Sequence, residues 1–398
     1  MNRFLNWLGK MVESATLQCL SPIHHRLLFF LIIFLLIAST AAIAFDIGGL
    51  PYNWFSIPVF LACLFFKRKG LVVLPPAYIL LLVGLWSRQE MKLADMLSWS
   101  TFEFAKWAIV AAFTIITVEG AARRRRKDAD LEHDVDRART LQRALVPPNC
   151  EIGRVKLCGI MQPCRSVGGD FYYFRPFQEK FIVFCLGDVM GKGVPASMVM
   201  SIVMSFFFEW GKKSSSPSQI LGILNQRLLG LWRDDNTWFT TLFYGVFNEE
   251  SSILTYASGG HDTALLLKDD GSIQQLHTDG VPIGAFEESV WEEKSIILNG
   301  GDRVVLFTDG LTEARNSEGE FFTFERVVKF LQEHSTLSAE ELAKQLELAV
   351  LKYTGGTPDD DLAILVMEVK KGVKWNPQKT LVAKELGKAK KVEAASTL

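Results

Sequence analysis

Phe181-Ile182-Val183-Phe184-Cys185-Leu186-Gly187-Asp188-Val189-Met190-Gly191-Lys192-Gly193 is an apolar run that ends on a carboxylate and a glycine-rich loop. Six apolar residues in a row, rich in aromatic and β-branched types, read as a strand buried on both faces. An aspartate closing such a strand is, on its own, a turn or N-cap residue. The pattern recurs, however. Asp170 follows Val167-Gly168-Gly169, Asp309 ends Val304-Val305-Leu306-Phe307-Thr308 and precedes Gly310, and Asp359-Asp360-Asp361 stands directly before Leu362-Ala363-Ile364-Leu365-Val366. Carboxylates gathered at strand mouths repel one another unless cations offset them. Hard divalent ions with oxygen ligands, Mg²⁺ or Mn²⁺, suit an all-carboxylate set.

Outward from this stretch, Val155 to Met161, Phe181 to Leu186, Thr240 to Phe247, Ile253 to Ala257, Ala264 to Leu267, Ser295 to Leu298, Val304 to Phe307 and Leu362 to Val369 read as strands. Met198 to Trp210 with Pro217 to Trp232, and Phe324 to Glu333 with Ala339 to Tyr353, read as helix pairs. Strands flanked by helix pairs predict an α+β sandwich over residues 148–371. Residues 372–398, rich in Lys, Ala and Glu, read as a loose tail.

The 49% of hydrophobic residues is high for a soluble protein, and the excess lies before Glu119. Leu27 to Phe45, Leu50 to Phe66, Leu71 to Trp86 and Leu97 to Val118 are apolar runs close to the ~20 residues that cross a bilayer. Glu103 and Lys106 interrupt the last, at the spacing of a helical pair. The first run is too long and too late for a cleaved signal peptide. Lys67-Arg68-Lys69 and Arg123-Arg124-Arg125-Arg126-Lys127 fall on one side only if four helices span. The positive-inside rule then sets residues 1–120 as a multi-pass region of the cell (inner or plasma) membrane, with everything after Glu119 cytoplasmic. Residues 121–147 form a linker helix, ended by Pro147-Pro148. Its Leu131, Val135, Ala138, Gln142 and Leu145 make a short a/d seam, read either as a homodimeric coiled coil or as a single solvated helix capping the next domain.

Taken together, Val167-Gly168-Gly169-Asp170-Phe171-Tyr172, Gly187-Asp188-Val189-Met190-Gly191-Lys192-Gly193-Val194-Pro195-Ala196, Ser258-Gly259-Gly260-His261, Phe307-Thr308-Asp309-Gly310-Leu311-Thr312-Glu313-Ala314 and Asp359-Asp360-Asp361 resemble the SpoIIE/RsbU branch of the PPM metal-dependent Ser/Thr phosphatases. Gln142 with Leu145-Val146-Pro147 resembles that branch's entry motif. The resemblance runs from about Ala138 to Val369 and covers none of the membrane half. It implies a PPM-type α-β-β-α sandwich with two Mn²⁺ or Mg²⁺ ions held by Asp170, Asp188, Asp309 and Asp360. The carbonyl of Val189 is a further ligand, Asp188 the bridge, and Asp361 the alternative to Asp360. The implied reaction is hydrolysis of phosphoserine or phosphothreonine by a metal-activated water. The implied partner is a small phosphoprotein, an anti-sigma-factor antagonist or similar partner-switching protein. Met190, Tyr173, Gly259 and Ala363 stand where the family commonly has Ser, Asp, Ala and Thr, and none of these departures removes a matched carboxylate.

A net charge of −1 gives no support for a nucleic-acid binder. The glycine loop at Gly187 lacks the spacing and the terminal Ser/Thr of a phosphate-binding P-loop. Neither Cys158 nor Cys164 begins a Cys-x5-Arg phosphatase loop, and the six cysteines form no Cys-x-x-Cys pair. His261 reads as a turn or core histidine, and Arg165, close before Asp170, either as a plain surface arginine or as one that meets a substrate phosphate. The competing function is a membrane receptor whose phosphatase-like domain only binds a partner. A transporter is disfavoured by so few intramembrane charges.

Overall fold

The computed structural model describes residues 74–87, 93–210, 216–231, 238–356 and 358–376, with short pieces at 31–32, 34–35, 60–63 and 71. The first two apolar runs and the end of the tail therefore lie almost wholly outside the described residues. The chain divides into two compact units, Met1–His133 and Asp134–Leu398.

In the first unit, α1 (Leu74–Ser87) covers most of the third apolar run. Pro75 and Pro76 fall in its first turn, where a missing N–H breaks no intrahelical bond, so no neighbour has to re-satisfy freed carbonyls. Helix α2 (Leu93–Leu145) is 53 residues long and crosses the basic cluster without a break. Ala and Arg are strong helix formers, and no proline intervenes. Along its apolar part Trp107, Ala111, Ile115 and Val118 are buried, while Phe102, Ile109, Phe113 and Ile116 are 65–70% exposed. Among the described residues α2 is the one helix with a stretch long and apolar enough, by length and composition, to cross a membrane.

The second unit is built on two antiparallel sheets. One has the order β1 (Cys150–Ile152), β2 (Val155–Gln162), β11 (Leu362–Val369), β10 (Arg303–Phe307), β7 (Ala264–Leu267), β8 (Ile273–Leu276). The other has the order β3 (Phe171–Phe177), β4 (Phe181–Val189), β5 (Thr240–Asn248), β6 (Ile253–Gly259), β9 (Lys294–Ile297). Helices α3 (Val194–Trp210) and α4 (Pro217–Leu231) cover the second sheet. A single turn, α5 (Asp309–Thr312), follows β10, and α6 (Phe324–Glu333) and α7 (Ala339–Thr354) cover the first sheet. The α-β-β-α layering is the expected one. Strands β1, β3 and β8 were not expected from the sequence. Arg175-Pro176 hides β3, yet β3 is an edge strand, where proline's missing N–H interrupts no central ladder.

Alternation within the strands decides what faces the cleft. On β4, Val183, Cys185 and Val189 meet the outer helices, whereas Ile182, Phe184 and Leu186 enter the core between the sheets. Tyr172 and Phe174 of β3, Leu306 of β10, and Ala363 and Leu365 of β11 enter the same core. With a period of two, Asp170, Asp188, Thr308 and Asp361 continue those inter-sheet rows at one end of the sandwich.

The linker's last turns belong to this unit. Gln142 is buried, its Nε2 donating to the Gly168 carbonyl (2.6 Å) and its Oε1 accepting from the Gly168 N–H (3.3 Å). Arg139 Nε donates to the Ser166 carbonyl (2.7 Å), and Leu145 packs on the core under α3. The polar seam position thus bonds the domain's own backbone. Leu131, at the other end of the seam, stays exposed.

Candidate active site

Asp170 leaves the Gly168-Gly169 loop just before β3 and is 2% exposed. Its Oδ2 accepts from Thr308 Oγ1 at 2.6 Å, and the Thr308 hydroxyl in turn accepts from the Ala363 N–H (2.9 Å). One threonine therefore ties the carboxyl below the second sheet to two strands of the first. Burial, and then the charge of Asp188, push the Asp170 carboxyl well above the usual carboxylate range. Asp188, near the end of β4, is pushed up to about 7 by burial, with Asp309, Asp360 and Asp361 adding to the rise and a hydrogen bond from Asp170 opposing it. Asp309 opens α5. Its carboxyl rises to about 6 through burial of its inner edge and through Asp262, Glu313 and Asp360, although the residue keeps a face in solvent. Gly310 is required beside it, since a Cβ there would stand 1.8 Å from the Asp361 carbonyl.

The sequence left Asp360 and Asp361 as alternatives, and the structure gives them different surroundings. Asp361 is buried, with Oδ1 accepting from the Cys164 N–H (2.9 Å) and Oδ2 from the Gly169 N–H (2.7 Å). It holds the loop that carries Asp170. Asp360 is half-exposed, with Oδ1 accepting from the Asp361 N–H (2.9 Å) and Oδ2 paired with Lys192 Nζ (3.1 Å). We expect Asp361→Ala to lower the melting temperature of the chelated full chain by the equivalent of about 3 kcal/mol, because two buried N–H groups lose a charged acceptor. A melt in chelator isolates this effect, since loss of a metal ligand alone would leave the metal-free melt in place.

Val189 is buried, and its carbonyl faces the Gly169 Cα so closely that a Cβ there would come within 2.8 Å. The structure thus places Asp188 within electrostatic reach of Asp170, Asp309 and Asp360, and Asp309 within reach of Asp360, with the Val189 carbonyl beside the Asp170 loop. It adds Thr308, Asp262, Glu313 and Lys192, which the sequence reading did not assign roles. Thr308 and Glu313 sit inside a quoted motif, and Asp262 directly follows Gly-Gly-His, so proximity in sequence was the available signal.

The remaining candidates differ in their surroundings, and Cys164 lies beside Asp360 and Asp361, its sulfur within 4.8 Å of a carboxylate oxygen of each. The His261 ring hydrogen-bonds Thr241 Oγ1 (2.9 Å), and burial pulls its pKa down to about 4, so it is a neutral core histidine. Burial first, then Asp361, pushes the Cys164 thiol up to about 11, and burial does the same for Cys158, so neither of these two is a thiolate nucleophile. Arg165 is exposed and lies along Gly193, at the edge of the acidic cleft.

Residues 178–370 match the family model described as Stage II sporulation protein E (SpoIIE). The chain is 30% identical over 212 residues to phosphoserine phosphatase RsbU of Bacillus subtilis, covering 53% of this chain and 62% of that protein. It is 23% identical over 184 residues to phosphoserine phosphatase RsbP of the same organism, covering 46% of each. The chain thus spans less than two thirds of these relatives' length. In fold it is similar to the SiaA-PP2C domain of Pseudomonas aeruginosa, with a TM-score of 0.53 and 22% identity, over 61% of this chain and 98% of that one. By sequence, residues 178–370 are thus similar to the SpoIIE family and to two phosphoserine phosphatases, and the second unit shares the fold of a PP2C domain.

Proposed function

We propose that this chain is a membrane-anchored, metal-dependent protein phosphatase that removes phosphate from phosphoserine or phosphothreonine on a cytoplasmic regulatory protein. The observation that carries the reading is the cleft itself. Acids from both sheets converge there, and Asp188 and Asp309 are raised to about 7 and about 6. Buried like charges of this kind are stable in ionised form only with compensating cations. An all-oxygen donor set fits Mg²⁺ or Mn²⁺, so the residues present suit a two-ion centre held by Asp170, Asp188, the Val189 carbonyl, Asp309 and Asp360.

When bound, the ions supply the positive charge that activates a water and offsets the phosphoryl oxygens. The chain's own residues hold the geometry. Thr308 fixes the rotamer of Asp170, Asp361 fixes the loop beneath it, and Asp188 presents its carboxylate from the end of a buried strand. Arg165 at the rim offers a guanidinium to the incoming phosphoryl group.

The membrane half of the reading rests on the exposed apolar face of α2 and on the five cations Arg123 to Lys127 that follow it. Such a pattern suits a span with its basic end in the cytoplasm. Residues 1–120 are then a four-helix membrane region, 121–147 the linker and 148–371 the catalytic domain. The relatives' names point to phosphoserine, and a small partner-switching protein is the substrate class we favour. The test is phosphate release from a phosphoserine protein by the full chain in detergent micelles, with Mn²⁺ and then with chelator. Turnover that disappears on chelation is expected. A protein that binds phosphoproteins without turning them over would instead be a receptor.

A further inference from the structure

Among the described residues, Lys192 is the only lysine or arginine in an ion pair with Asp170, Asp188, Asp309, Asp360 or Asp361. Its Nζ lies 3.1 Å from Asp360 Oδ2 and 3.3 Å from the Asp359 carbonyl, joining two loops 168 residues apart. The other Asp360 oxygen accepts from the Asp361 N–H, so Lys192 pairs with the oxygen that this backbone bond leaves over.

The loop that carries Lys192 is held at both sides. Gly191 and Gly193 adopt φ of +84° and +76°, the Met190 N–H donates to the Phe239 carbonyl (3.0 Å), and the Ser197 N–H donates to the Gly193 carbonyl (3.0 Å) at the start of α3. With that backbone pinned, the flexible four-carbon side chain is the part able to move. The pair is also shallow, with 39% of the lysine side chain and 48% of the aspartate side chain exposed, so water screens it and it is easily broken.

Resting on the reading of the cleft as a cation site, we propose that Lys192 is a built-in counter-cation. It neutralises Asp360 in the metal-free protein and is displaced from Oδ2 when a divalent ion binds. An ammonium and a divalent ion cannot share one carboxylate oxygen without strong like-charge repulsion. Each therefore weakens the other's hold, and Lys192 acts as a positioning residue that sets the affinity of the Asp360 side of the centre. Metal binding would also free a cation at the rim, next to Arg165.

The test is calorimetric titration of the full chain in detergent with Mn²⁺, on wild type, Lys192→Met, Lys192→Arg and Asp188→Asn. Lys192→Met should bind about two- to fivefold more tightly, the range of a screened ion pair. Lys192→Arg keeps the charge and should stay near wild type. In parallel, amine acylation of the wild-type chain, read by mass spectrometry against surface Lys329, should speed up at Lys192 when Mg²⁺ is added. Wild type that binds while Lys192→Met binds equally or more weakly overturns the proposal. So does Lys192 reactivity that stays level as the wild type fills. Wild type and Asp188→Asn that both fail to bind would instead overturn the cation site itself.

Discussion

Asp188→Asn is expected to reduce phosphate release by about a thousandfold or more, several kcal/mol of lost transition-state stabilisation. In the same variant the metal-free chain should melt no lower than wild type. The two halves of this expectation have one cause. Asp188 ends a fully buried strand segment, and its carboxyl is already pushed up to about 7 by burial and by neighbouring acids. Asn keeps the shape and removes a charge that the cation-free fold disfavours. What the variant loses is the anionic oxygen between Asp170 and the acids of the first sheet. Activity within a few-fold of wild type would remove Asp188 from the centre. A collapsed melting temperature would show that the residue serves folding instead.

The metal-free chain should lose stability as pH rises, the reverse of ordinary acid denaturation. The carboxyls of Asp170, Asp188 and Asp309 all lie above the 3.8 expected for unfolded Asp. Raised values favour the protonated form in the fold, so the stability they permit is present below about pH 4 and drains away as pH climbs through 6 and 7. A divalent ion should reverse the slope, because it binds the ionised carboxylates and releases their protons. At a hundredfold excess over Kd an ion that binds only the folded state adds about 2.7 kcal/mol. Thermal melts of the full chain from pH 5 to 8, with chelator and with saturating Mn²⁺, read both effects. The curves should diverge with rising pH, and Asp309→Asn should narrow the gap. Parallel curves, or full turnover after exhaustive chelation, would refute a centre that depends on metal.

The apolar runs ending in aspartate fixed much of the architecture in advance. Phe181 to Leu186 and Leu362 to Val369 are strands because continuous apolar sequence must be buried on both faces, and the helix pairs show their own periodicity. Local signals failed where context reversed them. Pro176 argues against a strand until β3 is seen to lie at an edge, and Gln142 resembles a coiled-coil polar position until its amide is seen on Gly168. A continuous α2 was likewise hidden by the change from apolar to basic composition, which alters the helix's surroundings and leaves its backbone hydrogen bonds intact.

The sequence by itself determined which residues are acids, that each stands at the mouth of a strand, and that such a set calls for divalent cations. The tertiary structure decided how those acids differ. It turned Asp361 inward onto the Cys164 and Gly169 amides and left Asp360 facing Lys192. It also made Thr308 the link between Asp170 and β11. The reason is distance along the chain. Asp361 and Gly169 are 192 residues apart, Thr308 and Asp170 are 138 apart, and a hydrogen bond over such separations is set by how two sheets pack. Periodicity fixes the face on which a side chain lies, and only packing supplies the atom it meets.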